Sequence, residues 1–118
     1  MRAFHGNWFW VSVVSNGLVG LWGLGLAMAK RPMGPLFVKA RAFAIVAMLV
    51  QVGAGLWLYG EGSRPPAFHM FYGVVILFTF SFVYIYRSSM ARRPALAYGL
   101  LLLFVMGLGI RAWTVVAG

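Results

Sequence analysis

Four long apolar stretches alternate with three short, breaker-rich ones. The apolar stretches cover about 8–29, 42–60, 68–86 and 95–116. Each is near the roughly 20 residues that a helix needs to cross about 30 Å of hydrocarbon. The breaks are Lys30-Arg31-Pro32-Met33-Gly34-Pro35, then Gly60-Glu61-Gly62-Ser63-Arg64-Pro65-Pro66, then Arg87-Ser88-Ser89-Met90-Ala91-Arg92-Arg93-Pro94. All three are rich in residues that end helices. A backbone in lipid must satisfy its own hydrogen bonds, so the segments read as helices and not strands. Short connections make consecutive helices antiparallel. The pattern therefore predicts an all-α integral membrane protein, a four-transmembrane-helix up-down bundle that forms one domain over 1–118.

Composition sharpens this picture. Hydrophobic residues make up 63% of the 118, charged residues only 9%, and mean hydropathy is +0.89. A soluble domain of this size carries about 25% charged residues. A soluble enzyme, a disordered chain and a disulfide scaffold are excluded. The absence of cysteine removes thiolate metal sites, cysteine nucleophiles and dithiol redox chemistry. The stretch Ala27-Met28-Ala29 mimics a signal-peptide cleavage site. The apolar run before it is too long for a signal core and its basic flank is weak, so it reads as a retained span.

Charge then sets orientation. Ten Lys or Arg face a single acid, Glu61, for a net charge of +9. Lys30, Arg31, Lys39, Arg41, Arg87, Arg92 and Arg93 fall on one side, and Arg2, Arg64 and Arg111 on the other. The positive-inside rule places both termini outside, on the extracytoplasmic face. The net charge is mostly topology signal, with some attraction to anionic lipid, and needs no nucleic acid. Eight arginines against two lysines fit a GC-rich prokaryote and its cytoplasmic (inner) membrane.

The second half echoes the first. Phe4-His5 opens the first span and Phe68-His69 the third. Gly53-Ala54-Gly55 precedes Tyr59 as Gly107-Leu108-Gly109 precedes Trp113. Two repeated helical hairpins, related by an axis along the membrane normal, would give this pattern; glycine-rich spans also look alike by chance. His5, Ser12, Asn16, Gly20 and Gly23 share one helix face, where the small residues allow close approach and Asn16 can bond across helices. Gln51 can do the same. Trp8, Trp10, Trp57, Tyr59 and Trp113 fall at the outer boundary, Tyr84 and Tyr86 at the inner one. They form an interfacial belt, and the outer set can also wall a flat apolar ligand.

The two histidines carry the chemistry. His5 and His69 start alternate helices on the same face, and alternate helices of a four-helix bundle are commonly diagonal across its core. Two facing imidazoles there are the geometry of an axially ligated haem. Each alone could simply cap a helix or meet headgroups. Gly6, Gly53, Gly55, Gly73, Gly107 and Gly109 give room for a porphyrin, and Arg2, Arg64 and Arg111 could meet its propionates. Arg111 stands out as a charge inside an apolar run; it could also snorkel outward. A zinc or iron cage is poorly served by two imidazoles with no acid but Glu61.

Gln51-Val52-Gly53-Ala54-Gly55, a short outer loop and then His69 at the next helix start together resemble one four-helix half of the haem A synthase family. The separation of His5 and His69 is similar to that within such a half. The resemblance spans nearly the whole chain and implies that His5 and His69 are the axial pair and that Gln51 matches the glutamine before the family's glycine. Gly6 and Met70 stand where the family often has arginine, no acid precedes Glu61, and the family's cysteine pair has no counterpart. The resemblance therefore implies haem binding and not haem hydroxylation. No catalytic residue and no independent catalytic activity are expected.

Two functions are consistent with the sequence. One is a small cytochrome-like protein with haem b near the outer face, for electron transfer or support of a redox complex. The other is a haem-free accessory subunit of a larger membrane complex. Either way the partners are the lipid bilayer and a larger membrane complex or a second copy of the chain.

Overall fold

A computed structural model describes residues 2–32, 34–62 and 64–117, without the side chains of residues 2 and 117. The elements are α1 (Arg2–Met28), α2 (Pro35–Gly60), α3 (Ala67–Ile85), α4 (Arg87–Met90) and α5 (Pro94–Ala117). Among the described residues there is no strand. Four helices, α1, α2, α3 and α5, are long and apolar enough to cross a membrane. The 47 Å long axis matches a bilayer of about 40–45 Å with its headgroups. These features mark an integral membrane protein.

Two helices start earlier than the hydropathy pattern implies. α1 is helical from Arg2, so His5 lies one turn inside it. α2 starts at Pro35, with the proline in the first helical turn and Gly34 extended before it (φ −81°, ψ 172°). Proline is favoured there because its missing N–H would have no intrahelical partner. Lys39 and Arg41 consequently sit on the first turns of α2 and not in a loop. Arg41 lies over the Tyr98 ring, 4.1 Å from its centre. The third break also holds one extra helical turn, α4.

Small residues decide how the helices pack. α1 lies along both α2 and α5, and α5 also packs on α3. At Gly20, Gly23 and Gly99 the backbones of α1 and α5 touch. A Cβ on Gly99 would lie 2.8 Å from the Leu24 nitrogen and 3.0 Å from the Gly20 oxygen. Ser12 and Asn16 are fully buried on the same face. Asn16 Nδ2 donates to the Ser12 carbonyl at 2.7 Å and to the Ala44 carbonyl of α2 at 2.9 Å. Trp8 Nε1 donates to the Ala47 carbonyl at 2.8 Å, so this tryptophan ties α1 to α2 and does more than float at an interface.

α2 and α3 barely touch. In a repeat of two hairpins, α1 against α5 and α2 against α3 would be equivalent seams. Only the first is closed. Aligning His5 with His69, and Gly53-Ala54-Gly55 with Gly107-Leu108-Gly109, puts Tyr84 opposite Gly20 and Ile45 opposite Gly99. The second half thus lacks the glycines that close the first seam; Tyr84 is exposed and Ile45 packs on the first core cluster. Two core clusters fill the bundle. Val19, Phe37, Ala44 and Leu102 form one; Met48, Ile76 and Val105 form the other.

Candidate functional site

Above the second cluster the open seam becomes a cavity. Its volume is about 530 Å³, within the range of roughly 300–1,000 Å³ for small-molecule and cofactor sites. Its floor includes Met48 and Ile76, and its walls come from α1, α2, α3 and α5. The lining is largely apolar. The polar exceptions are Ser12, Gln51, Arg64 and the two histidines.

His5 and His69 meet inside this cavity. Their ring centres are 6.2 Å apart and the planes stand at 84°. An imidazole nitrogen ligates a metal at about 2.0 Å, and the ring centre lies roughly 1.1 Å behind that nitrogen. Two rings on opposite sides of one metal therefore have centres about 6 Å apart, which is the separation here. The helices that carry them are diagonal in the bundle, since α1 and α3 pack on α5 without packing on each other.

The two rings are held differently. His69 Nδ1 lies 2.9 Å from the Ala112 carbonyl, a contact that assigns the proton to Nδ1. Its Nε2 is then left with a lone pair. A backbone carbonyl on the second nitrogen is the usual way to orient a ligating histidine. His5 lies against the α2 backbone, at Gln51 and Gly55. A Cβ on Gly55 would come within 3.1 Å of its Cε1, so the Cε1 edge of the ring lies close against bare backbone. His5 Nδ1 is buried with no hydrogen-bond partner among the described residues, and so is Gln51 Oε1 in the same cavity. An orphaned buried donor or acceptor costs about 1–3 kcal/mol. These two are complementary when the proton sits on His5 Nδ1, because an amide oxygen can accept it.

The glycines expected to make room divide in two. Gly6, Gly55, Gly73 and Gly109 line the cavity; Gly53 and Gly107 do not. Gly6 and Gly73 have open space where a side chain would be. The ring wall is Phe9 and Trp113, stacked at 5.9 Å, with Trp10 lying 6.4 Å from Trp113 on the outside.

The arginines divide too. Arg64 lines the mouth of the cavity; its guanidinium lies 4.1 Å above the Tyr59 ring and donates to the Tyr59 carbonyl at 2.7 Å. Arg111 is absent from the lining. It is exposed on α5, where Nε donates to the Tyr72 hydroxyl at 3.3 Å and a second nitrogen lies 3.5 Å from the Thr114 hydroxyl. Arg2 has a side chain outside the described ones. Of the candidate residues, the cavity thus gathers His5, His69, Gln51 and Arg64 and leaves out Arg111. Ser12, Phe9 and the Ala112 carbonyl belong to it as well. Ser12 is on the face already read from the sequence, and Phe9, four residues after His5, could have been found by the same period. A backbone acceptor leaves no trace in side-chain identity.

No family model, curated protein or solved structure matches this chain. Among the described residues no group of three or more His, Asp or Glu could cage a metal ion. The donor set is two imidazoles in an apolar slot, which suits a cofactor that brings its own equatorial ligands. The cavity volume, the two glycines facing open space and the cation at the mouth fit such a group.

Proposed function

We propose that this protein is a small membrane cytochrome-like protein that holds haem b between His5 and His69. The observation that carries the reading is the histidine pair, at metal-bridging separation inside a cavity of cofactor size. The likeness of the chain to one half of the haem A synthase family points the same way. Bound haem would supply one-electron chemistry, and a site in which His5 and His69 both held it would favour electron transfer over oxygen activation. The Ala112 carbonyl orients His69, Gly55 seats His5, and Arg64 meets the anionic propionates at the mouth. The apolar lining would keep water from the bound group. Both histidines are committed to the haem in this reading, and the protein serves a redox complex without a reaction of its own.

In this reading the four helices run up and down, with both termini and the haem at the extracytoplasmic face of a prokaryotic inner membrane. The basic connections lie inside, as the positive-inside rule requires. Electron donor and acceptor belong to a larger membrane complex or to a second copy of the chain. A haem-free accessory subunit is the second reading, and α3 favours it. That helix buries only 11% of its most apolar window, against 39% for α1, and exposes Phe68, Phe71, Phe78 and Phe82.

The test is the absorption spectrum of the detergent-purified protein, oxidised and then dithionite-reduced, with a His69→Ala variant beside it. A Soret band with sharp reduced α and β bands, lost or weakened in the variant, is expected. A wild type that stays colourless after haem is supplied would sink the cytochrome reading and leave the accessory one.

A further inference from the structure

The opposite end of the bundle holds a second cavity, of about 260 Å³. Lys30 and Arg31 reach it from the α1–α2 connection, and Arg93 from the residues before α5. Pro94, Ala95 and Leu96, the first turn of α5, complete the wall with Ala27 and Pro32. A helix of 24 residues therefore turns its positive end to three cationic side chains. Amide N–H groups of a first helical turn have no intrahelical acceptor and favour an anion.

Within the described residues nothing neutralises this charge. The chain has one acid, Glu61. It follows the C-terminal end of α2, 26 helical residues from Pro35, or about 39 Å at 1.5 Å per residue. A topology signal needs only that cations be numerous on one side. It does not need three of them, from two separate connections, to converge on one hollow.

The turn that ends α1 sets where one of these cations stands. Lys30 has φ +55°, the only non-glycine residue with positive φ among those described. It ends α1 in a Schellman turn: Arg31 N–H donates to the Leu26 carbonyl at 2.9 Å and Lys30 N–H to the Ala27 carbonyl at 3.2 Å. Glycine is the residue that fits this position without strain. A lysine held there keeps a cation at the cavity at the expense of the turn, and such outliers cluster at functional sites.

We propose that this cavity binds a phosphate-class anion: the phosphodiester of an anionic lipid headgroup or free inorganic phosphate. Lys30, Arg31 and Arg93 supply charge, and the α5 first turn supplies N–H donors. The site is independent of the histidine cavity and of what fills it.

The experiment uses the full chain in nanodiscs of phosphatidylcholine alone, or with phosphatidylglycerol at a one-to-four ratio. Native mass spectrometry reads the lipid retained after release. In parallel, inorganic phosphate is titrated into the phosphatidylcholine sample and followed by calorimetry. Lys30→Gly and Arg93→Gln are the variants. Lys30→Gly removes the cation and relaxes the turn, so its melting temperature equals or exceeds that of wild type. Preferential retention of phosphatidylglycerol, weakened about fivefold by each variant, supports the site and names lipid as its source. Phosphate binding without lipid preference, equally sensitive to both variants, supports it with free phosphate as the source. Equal retention of the two lipids with no phosphate heat overturns it. So does anion binding that neither variant changes.

Discussion

Gly73 and Gly99 are both helical glycines, and they should respond in opposite ways to a side chain. Gly73 faces the cavity with nothing within 4 Å of an added Cβ, whereas a Cβ on Gly99 meets Leu24 and Gly20 backbone atoms at 2.8 and 3.0 Å. Backbone cannot rotate aside as a flexible side chain can. Gly99→Ala must therefore force α1 and α5 apart, at about 1–3 kcal/mol, the usual cost of overpacking. Gly73→Leu meets no such resistance and removes a poor helix former, a gain of up to about 1 kcal/mol. What it removes is the space for a ligand. The same overpacking range, applied to the ligand and not to the fold, is about five- to 150-fold in affinity. The assay is a haem titration read at the Soret band, beside thermal unfolding in the same detergent. Gly73→Leu should melt at or above wild type and take up haem poorly. Gly99→Ala should melt lower. Wild-type haem uptake by Gly73→Leu would refute the placement of the ligand. Equal destabilisation of both variants would refute the account of the two seams.

Three further outcomes follow from particular contacts. Gly55→Ala should displace the His5 ring by a few tenths of an ångström, since the new Cβ would lie 3.1 Å from Cε1; a changed low-spin electron paramagnetic resonance signal with intact folding checks this. Arg64→Gln should weaken haem uptake by several-fold, as expected for loss of one partly exposed ion pair of up to about 1 kcal/mol, while Arg111→Gln, whose side chain is outside the cavity, should leave the Soret titration unchanged. Asn16→Ala should lower stability by about 0.6 kcal/mol, the average for bonds between membrane helices, and by no more than about 1.7, in unfolding titrations with a denaturing detergent; its donations to the Ser12 and Ala44 carbonyls are the lost contacts.

The legible part of this molecule is what hydropathy and spacing encode. Span number follows from bilayer thickness, and the span ends came within a residue or two except where polar residues continue a helix. Lys39 and Arg41 look like loop but lie on α2, because long cationic side chains are good helix formers and can reach water from a helix flank. The face of His5, Ser12, Asn16, Gly20 and Gly23 was readable because a helix repeats every 3.6 residues. The pairing of His5 with His69 was readable as equivalent positions on alternate helices. The exclusion of Arg111 was not. Which side of α5 faces the cavity depends on how α3 packs, and Tyr72 captures the guanidinium outside it. Nor was the open seam readable. Glycines close one seam, and which helices they bring together is known only once the helix neighbours are known.

The asymmetry of the two seams also explains why the histidines can face each other at all. Had α2 and α3 closed as α1 and α5 do, side chains would fill the slot above Met48 and Ile76, and the rings would be packed apart or buried under neighbours. Closing one seam tightly gives the bundle a rigid half, with Asn16 and Trp8 adding cross-helix bonds to it. Leaving the other open gives it a cavity whose walls are set by that rigid half. His5 stands on the other side of the slot, close against Gly55, and its Nδ1 is buried without a hydrogen-bond partner among the described residues. His69 stands on the loosely packed α3 and has its carbonyl acceptor from α5. Metal ligation strengthens the donor character of the second imidazole nitrogen. On the proposed reading, occupation should therefore draw the Gln51 side-chain oxygen onto His5 Nδ1. Gln51→Leu, which cannot accept, should leave His5 a weaker donor, so haem affinity falls and the reduction potential rises. An unchanged spectrum and unchanged affinity in that variant would mean that Gln51 is interhelical glue and takes no part in holding the ring.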